Sequence, residues 1–245
     1  MRAPFLALTL TSFAAPVAAK DPLFSLPINC DLGETCFIQN YVDTDPGPGA
    51  RDYTCGPLTY DGHKGTDFRV ATMADMEAGV TVLAAAPGTV RATRDGMRDI
   101  PSDAADAPEL DGKDCGNGLV IDHGGGWETQ YCHLRNGSLE IEKGQRVAKG
   151  THLGLIGLSG KTVFPHIHMS IRKDGEVVDP FAPNAEGTCG PSDSTLWEDP
   201  VAYQAGALLW VGFAEGIPDF ADIKAGLPDL TTLGDDAPGL VLWGY

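Results

Sequence analysis

The chain has 245 residues, 42% of them hydrophobic, which is enough to bury a sizeable core and argues against disorder by composition. Its 34 acidic residues outnumber 17 basic ones and leave a formal net charge of −17. Such a surface repels nucleic-acid phosphates and anionic lipid, so neither is an expected partner.

The N-terminus has the pattern of a secretory signal over residues 1–19. Arg2 is a thin positive start, residues 3–15 form an apolar stretch too short to span a bilayer, and Val17-Ala18-Ala19 is a small-residue cleavage site. The mature chain is expected to begin at Lys20, without a lipidated cysteine and without a second apolar run to act as an integral membrane segment. All six cysteines, Cys30, Cys36, Cys55, Cys115, Cys132 and Cys189, follow that site, and none forms a C-x-x-C pair. In an exported chain this reads as disulfides rather than a thiolate metal site. Short spacing favours Cys30 with Cys36 and Cys115 with Cys132, and the full connectivity stays open. Export with disulfides points to the periplasm, with secretion as the alternative.

Residues 20–57 read as an irregular, disulfide-bearing arm, with a strand expected at 37–42 and a proline- and glycine-rich turn at 45–50. From Gly62 short strands alternate with turns. Residues 67–70 begin one, and 81–92 read as strand, Pro87-Gly88 turn, strand. Residues 93–114 are polar, acidic and without period, and form a surface insertion. Residues 118–133, broken by Gly124-Gly125-Gly126, carry a hairpin pattern. Residues 146–160 are a glycine-punctuated strand and turn, and 164–171 form a last strand. This turn spacing predicts an all-β core, with no convincing helical period between 55 and 185. Residues 203–214 and 239–245 read as apolar strands separated by acidic, proline-rich turns. They suggest a small β region over 192–245, carried only in part.

The chemistry concentrates on the last core strand. Residues two apart on a strand share a face, so His166 and His168 present two imidazoles side by side. Upstream, Gly62-His63-Lys64-Gly65-Thr66-Asp67 places a His and an Asp four apart, and Tyr131-Cys132-His133 adds another imidazole. A catalytic zinc site takes three protein ligands and keeps one position for water, whose pKa it lowers toward about 7. Attack on an amide then needs further groups to move protons and steady the oxyanion. Five groups in three segments meet that count. His123 and His152 are read as structural.

With these motifs in order, the sequence resembles the lysostaphin/LytM-type zinc metalloendopeptidases, which cut peptides of bacterial peptidoglycan. The resemblance spans about residues 58–182 and rests on the His63–Asp67 motif, Ala86-Pro87-Gly88-Thr89-Val90, and Gly118-Leu119-Val120-Ile121-Asp122-His123-Gly124 followed by Tyr131-Cys132-His133-Leu134. It also rests on Leu153-Gly154-Leu155-Ile156-Gly157-Leu158-Ser159-Gly160 leading to His166-Ile167-His168. It implies an antiparallel β-sheet metallopeptidase core over 58–185 with a zinc groove across it. It also implies one Zn2+ per chain held by His63, Asp67 and His168, with His133 and His166 as catalytic histidines and peptidoglycan peptides as substrate. Cys132 departs from many members, and the arm and tail lie outside the resemblance. Two other readings stand beside it. One is a cell-wall binding or hydrolase-regulating module with a closed, structural zinc; the other is a metal-free β-domain with incidental histidines. The bond cut and the oligomeric state are not specified by the sequence.

Overall fold

Short runs of alternating burial, bounded by glycine and proline turns, set the strands of this protein. The structure is a computed structural model that describes residues 21–185, 187–227, 230–232 and 234–245. The expected signal segment at 1–19 and its cleavage site lie outside the described residues. Among the described residues, no helix is long and apolar enough to cross a membrane.

Strands β1 (Phe37–Asn40) and β2 (Thr66–Arg69) are followed by a short helix, α1 (Met73–Ala78), and by β3 (Thr81–Leu83) and β4 (Gly88–Arg94). The hairpin expected at 118–133 is β5 (Asn117–Gly124) and β6 (Trp127–Leu134). Next come β7 (Arg146–Val147), β8 (His152–Leu155), β9 (His166–Lys173) and β10 (Glu176–Val177). The tail adds β11 (Val211–Ala214), helix α2 (Phe220–Ala225) and β12 (Val241–Gly244). The main sheet has eight strands in the order β1-β2-β9-β6-β5-β4-β7, with β10 on β9, and its pairings are antiparallel. The all-β expectation therefore holds.

Strand β9 lies between β2 and β6. Its inward residues Ile167, Met169 and Ile171 are at most 1% exposed. They stand opposite Phe68 of β2 and Tyr131 and Thr129 of β6, so the apolar side of the strand is closed on both flanks. Truncating any of the three to Ala would cost about 2–5 kcal/mol in transfer and cavity terms. The same cluster takes in Val82 of β3, Leu153 of β8, Phe24 and Ile28 from the arm, and Trp197 from the segment after β10. The Tyr131 hydroxyl accepts the Ala85 N–H at 2.9 Å, which satisfies a polar group at the floor of this core. With its odd-numbered side chains committed inward, β9 must present His166, His168, Ser170 and Arg172 on the opposite face.

Three details differ from the sequence reading. The Pro87-Gly88 turn does not pair its flanking strands, because β3 pairs with β8 while β4 pairs with β5 and β7. Helix α1 was not expected. Thr72 caps it with a capping box to Asp75, but its six residues are too few to display a helical period. Helix α2 was likewise unexpected, and is capped by Asp219 and ended by Gly226 in the left-handed region. Of the tail strands expected at 203–214 and 239–245, only Val211–Ala214 and Val241–Gly244 are strand, and they form the antiparallel pair β11–β12.

The two local disulfides, Cys30–Cys36 and Cys115–Cys132, are present. The third joins Cys55 to Cys189 across 134 residues. It ties the arm to the segment that follows the sheet. The arm also contributes β1 to the sheet edge and buries Phe24, Phe37 and Tyr41.

Candidate metal centre and active-site groove

The register of β2 against β9 sets Asp67 opposite His168, and the register of β6 against β9 sets Cys132 opposite His168. Asp67, His168 and Cys132 thus form one row across three strands, and His133 follows at the end of that row. His63 reaches the row from the turn before β2, and Gly65 in that turn allows close passage. A Cβ there would sit 2.7 Å from the His168 ring and 2.6 Å from the Met169 carbonyl oxygen.

The donor atoms converge. His63 Nε2 lies 3.1 Å from Asp67 Oδ1 and 3.1 Å from His168 Nδ1, and His168 Nδ1 lies 2.8 Å from Asp67 Oδ1. Ligand atoms of His63, Asp67 and His168 all fall within 4.8 Å of one another. His63 and Asp67 are buried, and His168 is half-buried at the groove floor. His63 Nδ1 donates to the Tyr41 carbonyl at 2.6 Å, which leaves Nε2 as a lone pair aimed into the cluster. Asn40 Nδ2 donates to Asp67 Oδ2 at 3.1 Å and leaves Oδ1 facing the two imidazoles. Two imidazole nitrogens and one carboxylate oxygen, with the outer atoms of His63 and Asp67 held by hydrogen bonds, are a donor set that fits zinc.

His133 and His166 stand beside this cluster, their ring centroids 4.6 Å apart. His133 Nδ1 donates to the Ser159 carbonyl at 2.7 Å, and His166 Nδ1 donates to the Phe164 carbonyl at 3.0 Å, with Thr162 Oγ1 at 3.2 Å. These carbonyl partners fix the same tautomer in both rings and turn both Nε2 atoms away from the protein backbone. His166 Nε2 is 3.5 Å from Asp67 Oδ1. Burial, followed by the neighbouring His166 and His168, holds the His133 imidazole well below its ordinary pKa. Burial also lowers His166, against the opposing pull of Asp67. Burial pushes the Asp67 carboxyl up, but the surrounding His166, His168 and His63 outweigh it and hold the group well below the usual carboxylate range. His123 and His152 stay outside the cluster. His123 bonds the Pro87 carbonyl and Thr129 at 2.8 Å each, and His152 bonds the Gly154 carbonyl at 2.9 Å.

The cluster opens into a groove of about 560 Å³. One wall comes from the turn at Tyr60–Lys64 and the other from Lys161–Phe164. The polar insertion joins the second wall through Ser102 and Asp114, with Cys115 next to it. That insertion is pinned rather than loose. Asp99 accepts the N–H groups of Leu158 and Asn136 at 2.8 and 2.9 Å, and Ser102 N–H donates to the Thr162 carbonyl at 2.8 Å. The sequence reading passed over Asn40, the Tyr41 carbonyl and the Ser159 carbonyl. No composition or spacing signal marks a backbone acceptor contributed from another segment.

Residues 61–180 match the family model described as peptidase family M23. The chain is 30% identical over 122 residues to the peptidoglycan DD-endopeptidase ShyA of Vibrio cholerae, covering 50% of this chain and 23% of that protein. It is 32% identical over 126 residues to an uncharacterized metalloprotease of Haemophilus influenzae, covering 51% of this chain and 22% of that protein. The match thus spans less than a quarter of the length of these curated relatives. Among solved structures, a zinc-containing peptidase from Vibrio cholerae is 25% identical with a TM-score of 0.38, covering 60% of this chain and 39% of that one.

Proposed function

From the match of residues 61–180 to the peptidase family M23 model, we propose that this chain is an exported, zinc-dependent endopeptidase acting on bacterial peptidoglycan peptides. The observation that carries the proposal is the convergence of His63, Asp67 and His168 on one point in an open groove, with His133 and His166 beside them. The names of the similar proteins, peptidoglycan DD-endopeptidases among them, favour peptidoglycan as substrate.

His63 Nε2, Asp67 Oδ1 and His168 Nδ1 would hold one zinc ion. Bound there, zinc would supply a Lewis acid and lower the pKa of a water molecule to the neutral range. The rest of the work belongs to the chain. His133 and His166 each keep Nδ1–H on a carbonyl, so each offers Nε2 to the groove for proton transfer or for steadying charge on the substrate oxygen. The Tyr41 carbonyl and Asn40 hold two of the ligands in orientation. The sheet floor keeps these groups fixed before substrate arrives, which lowers the reorganisation needed during the reaction.

A closed structural zinc is the competing reading. It would need a fourth protein ligand, and among the described residues the ligand cluster contains three. Export through the segment at 1–19, the arm at 20–57, the peptidase unit at 58–185 and a C-terminal β region at 192–245 belong to the same proposal.

The test is metal content together with hydrolysis of purified peptidoglycan by the protein starting at Lys20, with and without chelator. One zinc per chain and chelator-sensitive release of new amino groups are expected. One zinc without cleavage would favour the binding module, and absence of stoichiometric zinc would sink the metallopeptidase.

A further inference from the structure

Arg172 lines the same groove, on the same face of β9 as His168 and four residues further along. At ~3.3 Å per residue the two positions lie about 13 Å apart along the strand. Its side chain is half-buried. One terminal N–H group donates to Gln130 Oε1 at 2.7 Å, and Gln130 Nε2 in turn lies 3.4 Å from the Cys115 sulfur. Gln130 is neutral, so the guanidinium is oriented without being neutralised.

The acid that should pair with Arg172 is occupied. Glu128 stands directly opposite it on β6, but the Glu128 carboxylate is in an ion pair with Arg91 of β4. Among the described residues, no carboxylate lies within 4.0 Å of the Arg172 guanidinium. Burial alone lowers its pKa from the ordinary arginine value, with no acid acting the other way. In a chain of net charge −17, an arginine that is half-buried and uncompensated is an unusual expense. The other groove cations, Lys64 and Lys161, are exposed at the rim, as are Asp61 and Asp114.

A guanidinium has five N–H donors in a planar fork that matches a carboxylate. A peptide with its scissile bond over His168 and His133 would place a group three to four extended residues away beside that fork. We infer that Arg172, oriented by Gln130, is a specificity-determining residue that binds a free carboxylate of the peptide substrate at a distance from the bond cut. The inference deepens the peptidase reading and rests on it for the identity of the ligand. A side-chain carboxylate and a C-terminal carboxylate share the required chemistry.

The experiment is equilibrium binding of peptidoglycan peptides to the mature protein, in three forms: all carboxylates free, side-chain carboxylates amidated, and C-terminal carboxylate amidated. Wild type is expected to bind one of the amidated forms at least about tenfold more weakly than the free form, and that form names the carboxylate. Arg172→Gln is expected to bind all three alike, at the level of the weak form, and Arg172→Lys to recover part of the preference. Gln130→Glu keeps the arginine but supplies an internal acid, and is expected to erase the preference as well. It covers the case in which Arg172→Gln fails to fold. No preference in wild type, no binding of any form, or a preference that survives in Arg172→Gln would overturn the inference. Zinc content and hydrolysis measured on the same samples separate the two proposals. Cleavage without carboxylate preference removes this one alone, and carboxylate preference without cleavage removes the peptidase reading and leaves Arg172 as a carboxylate-binding residue only.

Discussion

The backbone N–H of His133 donates to the carbonyl of Cys115 at 2.9 Å, and Cys115 is joined through sulfur to Cys132, the residue just before His133. His133 sits at φ 64°, the left-handed region that residues with a side chain seldom adopt. Its ring is held on the Ser159 carbonyl, and Asn117 N–H bonds the Ser159 hydroxyl at 2.9 Å. The end of the insertion, the end of β6 and the Ser159 turn are therefore one brace around the imidazole.

Replacing both cysteines by serine, as Cys115→Ser with Cys132→Ser, should loosen that brace while leaving the proposed zinc ligands alone. Loss of a disulfide that closes a loop of this size costs about 3 kcal/mol, seen as a lower melting temperature. The variant is expected to keep one zinc per chain and to lose at least about tenfold in kcat, with a smaller change in KM, because an imidazole displaced by an ångström transfers protons poorly. A kcat equal to wild type would show that the disulfide serves stability only.

The proposed ligands and the proposed proton-transfer histidines should separate in a metal assay. His63→Ala is expected to lose zinc and activity together. His133→Ala should keep zinc and lose roughly 10²–10⁴-fold in turnover. Asn40→Ala leaves every proposed ligand in place but removes the donor to Asp67 Oδ2, so zinc affinity should fall by about 10–100-fold. Normal hydrolysis by His133→Ala would refute the assignment of that residue.

Two glycines with similar backbone angles should behave differently. Gly116 has φ 62°, and a Cβ there would lie 2.4 Å from the Ser159 carbonyl carbon and oxygen. Gly137 has φ 72° with nothing within 4 Å. Gly137→Ala carries only the left-handed penalty of about 1–2 kcal/mol. Gly116→Ala must also move the carbonyl that holds His133, so a loss above about 3 kcal/mol with reduced turnover is expected. Denaturant melts of both variants check this, and equal losses would count against the tight Gly116–Ser159 contact.

Asp179 makes stability pH-dependent away from the active site. Burial pushes its carboxyl up to about 7, with Asp52 adding to the effect. Its Oδ1 accepts the Phe181 N–H at 2.9 Å, while Oδ2 is buried without a partner among the described residues. The titratable groups around it are Asp52 and Tyr53. The folded protein keeps this proton when the unfolded chain, at its ordinary 3.8, has released it. Stability from this group is thus intact near pH 4, falls as pH rises toward about 7, and is flat above. Asp179→Asn keeps an acceptor for Phe181 and removes the cost, on the order of 4 kcal/mol at most. The variant should match wild type near pH 4 and exceed it at pH 8. Melts showing the same offset at both pH values would contradict the buried, protonated carboxyl.

Features that depend on residue type and local period were legible in the chain alone. The glycine-broken hairpin pattern of 118–133 and the short bounded run at 164–171 marked strands, and burying one face of a sheet forces a period of two. It also set His166 and His168 on one face. The spacing of His63 and Asp67 around glycines marked a ligand-bearing turn. Only the tertiary structure decided what depends on register and on contacts far apart in the chain. The β2–β9 and β6–β9 registers bring Asp67, His168 and Cys132 into a row, and a slip of one residue would turn His168 inward. The arm, read as irregular, delivers Asn40 to Asp67 and the Tyr41 carbonyl to His63, and Cys55 finds Cys189 across 134 residues. The candidate residues read from the sequence do not include Arg172. Its uncompensated place in the groove follows from Glu128 pairing with Arg91, a choice among neighbours that exists only once four strands lie side by side.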